Sequence, residues 1–333
     1  MLYHIIVNPA GASGRTGRVW KRIEPIFRES GQEYEVHYSS PGYGIADICR
    51  ELEEQYLTAQ GDAAQDRLVL ITIGGDGSVN EAMNGIADPA HVYYGHIPAG
   101  SGNDIMRDMK LSKNPEDIAR RILEGRVRRY FDVGELEYMD EGEFERSWAE
   151  HIGSGSSRRF AISCGIGFDA GICEMSGRSR FKDVLNRLGL GKLIYLVSAF
   201  RLVHDQKSDA VTLTLDAGTE KEQTVRYDHV LLLACMNHQH EGGGFRFAPK
   251  AAYDDGLLDL CIADPAHNSA FYKIFPFALF GEHYRFRCVH ACTAAAIDIC
   301  AALPMWVHTD GEVERKACRV RVRVLEEKLA VLE

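Results

Sequence analysis

At 333 residues the chain is long enough for two domains with real cores, and its 45% hydrophobic and 26% charged content is that of an ordinary globular protein. A formal net charge of −10 supplies no continuous basic face, which argues against a bulk nucleic-acid binder, so no nucleic-acid partner is expected. Nine cysteines, an odd number scattered through apolar runs, read as reduced thiols in a cytoplasmic protein, and Cys288 with Cys292 lacks the second pair that a zinc site would need. The most apolar tract, 291–307, is broken by Asp298 and Pro304; together with an N-terminus lacking a charged n-region, this predicts a soluble protein without a transmembrane segment, whose membrane contact is peripheral.

In chain order, residues 2–7 form a nearly continuous apolar run, as a buried parallel strand does, and end in the loop Asn8-Pro9-Ala10-Gly11-Ala12-Ser13-Gly14-Arg15. A helix is expected over 19–27, a strand over 33–39, the turn Ser40-Pro41-Gly42, then a helix over 46–56 and a polar connection over 58–65. The run 68–73 enters Gly74-Gly75-Asp76-Gly77 and passes straight into a helical pattern over 79–86. A further strand, 93–97, closes on Pro98-Ala99-Gly100-Ser101-Gly102-Asn103-Asp104, and 115–125 reads as a helix with Pro at its start and Gly after its end. Strand and helix alternating in this way predict an α/β, Rossmann-like domain with a parallel sheet. Ligands of such sheets sit beyond the carboxyl ends of the strands, where the polar glycine loops fall.

Beyond residue 126 the rhythm changes. Strands are expected over 127–138, 159–168, 211–215, 229–236, 257–263 and 319–325, with helical pieces only over 181–205 and 267–283, and with a polar loop over 140–157. The fold class is therefore an α/β N-terminal domain, 1–126, followed by a β-rich, sandwich-like domain, 127–320. Residues 321–333 would supply C-terminal strands, with their return to the first domain left open.

The stretch around Asp76 carries the chemistry. Strand, glycine turn and helix together aim backbone N–H groups at an anion, and the helix dipole adds to the field. Glycines let the main chain approach a phosphate. A carboxylate in such a loop is repelled by phosphate unless a cation lies between them, so Asp76 suggests Mg2+. On its own the motif is equally a tight turn with Asp as helix N-cap. Asp254-Asp255-Gly256 and Asp310-Gly311-Glu312 read locally as turns before strands. His238-Gln239-His240 reads as a loop flank rather than a metal pair. The stretch 178–192, with five basic residues among leucines, suits either an anionic membrane surface or a helix packed on the β-rich domain.

Asn8-Pro9, the run Gly74 to Glu81, the run Gly100 to Asp104, the segment Phe247 to Asp259 and Thr309-Asp310-Gly311-Glu312, in that order, resemble the diacylglycerol kinase catalytic-domain family. That group includes sphingosine, ceramide and bacterial soluble lipid kinases, and shares its first glycine motif with the more distant NAD kinases. Ser78 and Ser101 stand where threonine is usual, and both keep the hydroxyl.

The resemblance implies transfer of the ATP γ-phosphate to a lipid hydroxyl at the membrane surface, diacylglycerol to phosphatidic acid first, with ATP in a cleft between the domains. It gives phosphate to Gly74, Gly75, Gly77 and Ser78, the loops or nucleotide to Asn8 and Asn80, and nucleotide contacts to Ser40 and Ser101. Catalytic Mg2+ would be organised by Asp76 and Asp104, and Glu312 would be the general base. A structural Mg2+ would be held by the Asp255 carboxylate with the carbonyls of Ala252 and Leu257. The rival readings are another lipid acceptor (phosphatidylglycerol or a sphingoid base), a soluble acceptor, or a sensor without catalysis. Oligomeric state, a homodimer included, is not legible.

Overall fold

The computed structural model describes residues 1–60, 67–100, 102–139, 157–167 and 209–333. The chain divides into two compact units, Met1–Val133 with Glu326–Glu333, and Gly134–Leu325.

In the first unit β1 (Tyr3–Val7), β2 (Tyr34–Tyr38), β3 (Leu68–Gly74) and β4 (Val92–Pro98) pair in parallel in the order β2-β1-β3-β4. Every residue of β1 and β3 is buried, which explains why their sequences are apolar without alternation. The helices are α1 (Gly11–Glu29), α2 (Ile45–Gln60), α3 (Asp76–Gly85), α4 (Asp104–Asp108) and α5 (Pro115–Leu123). Tyr3, Ile5 and Val7 share one core with Trp20, Ile23 and Phe27 of α1 and with Ile118 and Ile122 of α5. The start of α5 is fixed as its sequence suggests: Pro115 fills the first turn, and the Asn114 side chain accepts the Glu116 N–H. The start of α1 is not regular, because Ala12, Ser13 and Gly14 all take left-handed backbone with φ of 47°, 57° and 78°.

Two distant pieces complete this sheet. Strand β16 (Leu329–Leu332) pairs in parallel with β4 and antiparallel with β5 (Val127–Phe131), giving the order β2-β1-β3-β4-β16-β5. The single strand expected over 127–138 is therefore two. The chain breaks at Asp132–Val133, so that 127–131 lies in the first sheet and only the following residues enter the second.

The second unit is β-rich. Its strands are β6 (Gly134–Tyr138), β7 (Ser157–Phe160), β8 (Ser163–Gly167), β9 (Asp209–Leu215), β10 (Gln223–Val230), β11 (Leu232–Met236), β12 (Leu258–Ala263), β13 (Val289–Ala294), β14 (Ala296–Thr309) and β15 (Glu312–Val324). All ten join one antiparallel network, yet residues of β6, β8, β9, β11, β12, β14 and β15 meet in a single core. The reason lies in β14. Its first half pairs with β9 and its second half with β8, with a register shift against β15 between Cys300 and Met305. Pro304 in that interval has no N–H to give a ladder, and a bulge bends the strand there. One continuous network thus wraps around its core in a sandwich-like form.

Helix α6 (Phe271–Ala278), shorter than the 267–283 expected, packs Phe271, Ile274 and Phe275 against Ala234, Met236, Phe245 and Phe247. Short 3₁₀ turns, Asn268–Ala270 and His283–Arg285, occupy the rest of that span. The expected helix over 181–205, the basic stretch 178–192 and most of the loop 140–157 lie outside the described residues.

Candidate active site

At the carboxyl ends of β3 and β4 two glycine loops pack on each other. The Gly74 carbonyl accepts the N–H of Ala99 (2.6 Å) and of Gly100 (3.1 Å). A Cβ at Gly75 would stand 3.1 Å from the Gly100 Cα, and one at Gly74 would overlap the Ser78 side chain. The glycines are therefore needed for the approach of main chain to main chain as well as for any ligand.

Asp76 opens α3, half-buried, and its carboxylate accepts the Asp104 N–H at 3.1 and 3.3 Å. The adjacent loop leaves room for that carboxylate, since a Cβ at Gly102 would sit 2.8 Å from Asp76 Oδ2. Asp104 is buried and forms an ion pair with Arg107, so its charge is already met within α4. Asn103 precedes it in left-handed backbone and donates its Nδ2–H to the Gly100 carbonyl at 3.0 Å. Ser101 lies outside the described residues.

The first loop reaches the same place. The Asn8 side chain accepts the Ala10 N–H (3.1 Å) and its carbonyl accepts the Gly11 N–H (3.0 Å), shaping the turn after β1. Arg15 Nη1 donates to the Gly100 carbonyl at 3.3 Å. Arg15, Arg22 and Lys113 line an open depression beside it. Arg15 is not singled out by the sequence, because the three left-handed residues before it show only in the structure. Asn80 is buried in α3 with its carbonyl accepting from Asn84, and Glu81 accepts the Ile45 N–H at 3.0 Å, joining α3 to the start of α2. Ser40 is exposed and makes a two-way backbone bridge with Tyr43. Under the loops run Tyr94, Thr72 and His96, linked at 2.6 and 2.9 Å. Burial pushes the His96 imidazole down to about 4, opposed by its hydrogen bond to the Gly74 backbone. His96 is thus a neutral prop beneath the turn.

In the second unit Glu312 is exposed at the start of β15, paired with Thr309 across a two-residue turn. Asp310 and Gly311 have φ of 50° and 85°, the positive values that such a hairpin turn demands. The two acids of the motif are not alike. The Asp310 carboxylate accepts three backbone amides, of Ala161 (2.9 Å), Ile162 (2.8 Å) and Ser163 (3.0 Å), and its own N–H donates to the Ser163 carbonyl. Beside it Ser163 donates to Glu241 at 2.5 Å, and the Gly311 N–H donates to His308 Nδ1 at 3.1 Å. This network fixes the turn that presents Glu312, and apart from the Gly311–His308 bond its members are far apart in sequence.

Asp255 is exposed, and its Oδ1 accepts the Leu257 N–H at 3.0 Å around Gly256, whose φ is 76°. The neighbouring Asp259 has its pKa raised to about 6, by burial and then by the charge of Asp255. A carboxylate whose ionisation is opposed by burial and by a neighbouring carboxylate fits a hard cation, and Ala252 and Leu257 adjoin the pair in the chain. Phe247, by contrast, serves packing: it is buried, and its carbonyl accepts from Tyr284 Oη at 2.7 Å. His238 is buried and stacks on Tyr253.

The molecule thus pairs an α/β unit whose glycine loops pack together at its sheet edge with a β-rich unit that carries an exposed carboxylate on a hairpin. Residues 3–136 match the "Diacylglycerol kinase catalytic domain" family, and residues 163–333 match the "YegS C-terminal NAD kinase beta sandwich-like domain". The Bacillus subtilis (strain 168) protein YtlR, described as a candidate lipid kinase, is 26% identical over 314 residues, covering 93% of each chain. A diacylglycerol kinase of Staphylococcus saprophyticus is 24% identical, over 92% of this chain and 88% of its own. The crystal structure of a diacylglycerol kinase from Bacillus anthracis superposes with a TM-score of 0.67 at 21% identity, over 99% and 96% of the two chains, and so shares the fold. The chain belongs to the diacylglycerol kinase catalytic-domain family of lipid kinases.

Proposed function

We propose that the protein transfers the γ-phosphate of ATP to a lipid hydroxyl, with diacylglycerol as first acceptor and phosphatidic acid as product. The observation that carries this reading is the mutual packing of the loops at Gly74–Gly75 and Gly100, with Asp76 held at their meeting point by the Asp104 N–H. The amides of Gly75 and Gly77 at the N-terminus of α3 and the hydroxyl of Ser78, whose own N–H donates to the Gly75 carbonyl, suit phosphate oxygens, with Arg15 adding positive charge. Asn8, Ser40, Asn80 and Ser101 are assigned to the nucleotide and its loops. Asp76 would hold Mg2+, with Asp104 placing it through its backbone; when bound, the ion supplies positive charge to the phosphates. Asp255, with the carbonyls of Ala252 and Leu257 and with Asp259 nearby, would hold a second, structural Mg2+.

In the transfer, the lipid hydroxyl oxygen forms a bond to the γ-phosphorus while the bond to the β,γ-bridging oxygen breaks, and ADP leaves. Glu312 takes the hydroxyl proton. Its exposure at a turn anchored by Asp310 suits a base that must meet a substrate arriving from outside. Among the described residues no helix is long and apolar enough to cross a membrane, so a bilayer substrate would be reached from the surface.

The test is transfer from labelled γ-ATP with Mg2+ into mixed micelles carrying diacylglycerol, monoacylglycerol, sphingosine, ceramide or phosphatidylglycerol. Label in diacylglycerol, lost in Asp76→Ala and Glu312→Ala, supports the proposal. Label in another lipid changes the acceptor. No label in any lipid, with ATP still bound, removes lipid phosphorylation in favour of a soluble acceptor or of sensing.

A further inference from the structure

Outside the site described above, the first unit brings together His4, Glu35 and His37. Strands β1 and β2 set His4 opposite Glu35, and His37 follows Glu35 by two residues on the same face. His4 Nδ1 and His37 Nε2 face each other at 3.1 Å, and Glu35 Oε2 lies 3.5 Å from the first and 3.8 Å from the second. Among the described residues no other group of three such side chains gathers its ligand atoms so closely.

We infer that His4, Glu35 and His37 form a binding site for a divalent transition-metal ion of the zinc class. Two imidazole nitrogens pointing at one another share only one proton between them as a hydrogen bond, whereas a metal accepts both lone pairs at once. The carboxylate distances are too long for hydrogen bonds but suit co-ligands, since ligand atoms on a tetrahedral zinc stand about 3.3 Å apart for bonds of ~2.0–2.1 Å. A point equidistant from the three atoms lies about 2 Å from each, so the ligands need little rearrangement to close on an ion. The Glu35 side chain is 57% exposed, which leaves an approach from solvent and room for a water as fourth ligand.

The chemistry of the set selects the ion. Two imidazoles and one carboxylate favour zinc, nickel or copper over Mg2+, which takes oxygen ligands in octahedral geometry. The environment of both imidazoles favours their neutral form. Burial and then the His37 charge lower the His4 pKa, against Glu35, while burial lowers that of His37, against Glu35 and Glu51. The bound ion would cross-link β1 to β2, an edge strand of the sheet, and β2 leads directly to Ser40. The site is therefore a staple between β1 and the edge strand β2, separate from the Mg2+ chemistry proposed for the glycine loops.

The experiment uses the full chain stripped with a chelator, then titrated with Zn2+ against a chromophoric competitor and with Co2+ followed by its visible absorption. Wild type should bind one equivalent more than His37→Gln, or bind it at least tenfold tighter, with the intense bands of four-coordinate Co2+ absent from the variant. Millimolar Mg2+ should not displace the ion. Glu35→Gln, altered at an exposed position, provides a second variant and should weaken Zn2+ by about tenfold with unchanged circular dichroism. Equal stoichiometry and affinity in wild type and both variants, or ready displacement by Mg2+, would overturn the inference and leave a hydrogen-bonded histidine pair.

Discussion

The two units treat similar-looking acidic glycine motifs in opposite ways. In Gly74-Gly75-Asp76-Gly77 the acid is half-buried, accepts the Asp104 N–H and lies against the bare backbone of Gly102. In Asp310-Gly311-Glu312 the first acid is consumed by three amides and the second stands in solvent. A carboxylate held by several backbone amides is a structural bolt, whereas one exposed at the tip of a turn, as Glu312 is, stands open to a ligand. Sequence motif alone does not distinguish Asp310 from Glu312; burial and the three backbone amides on Asp310 do.

The largest expected effect tests the available acids. Glu312→Ala should lower phosphate transfer by about 10²–10⁴-fold, the ordinary contribution of a general base, while the melting temperature stays within a degree or two because the residue is exposed. Next comes the bolt. Asp310→Ala strands the amides of three buried residues and should cost about 2–4 kcal/mol in urea unfolding, with Asp310→Asn intermediate. If Asp310→Ala lost activity at full stability, the division between the two acids would be wrong. Smaller again is Gly100→Ala, whose Cβ would stand 2.5 Å from the Gly75 Cα. Forcing the loops apart should cost about 1–3 kcal/mol and weaken ATP binding measured by calorimetry.

pH gives the smallest and most discriminating contrast. His96 has a folded pKa of about 4, below its unfolded value, so the first unit loses stability as pH falls from about 6.5 toward 4. Asp259 has a folded pKa of about 6, above its unfolded value, so its contribution is favourable in acid and is lost as pH rises from about 4 through 6. Hydrogen exchange followed in β3 and in β12 should therefore respond to acid in opposite senses, the Asp259 part amounting to about 1 kcal/mol after discounting for its partial exposure. Asp259→Asn should abolish the β12 response. Mg2+ should protect β12 at pH 7 more than at pH 5 if the Asp255–Asp259 pair carries a cation.

What the sequence disclosed follows the range of the interactions. The parallel strands and their glycine loops are local patterns, so β1, β3, β4 and the loops at Gly74 and Gly100 were readable without coordinates. Partner choice is not local. Residues 127–131 look like the start of a second domain until β16, some two hundred residues later, is found beside them. The same holds within the site: Asp310 reads as a solvated turn acid because the amides that bind it belong to residues 161–163. Arg15 was hidden by the irregular turn before it, since alanine and serine give no sign of left-handed backbone. His4, Glu35 and His37 were missed because strand alternation shows which side chains share a face only once the register of β1 on β2 is known.

Strand β16 bears on how the protein is made. Its four buried residues lie between β4 and β5, and Leu332 belongs to the core that Tyr3 and Ile5 begin. On the ribosome, residues 1–131 emerge with a gap in their sheet that only residues 329–332 can close. The first unit must therefore wait, with β4 and β5 unjoined, while the whole β-rich unit is synthesised. Folding order is thereby inverted relative to chain order: the second unit has all its strands in hand before the first can be finished.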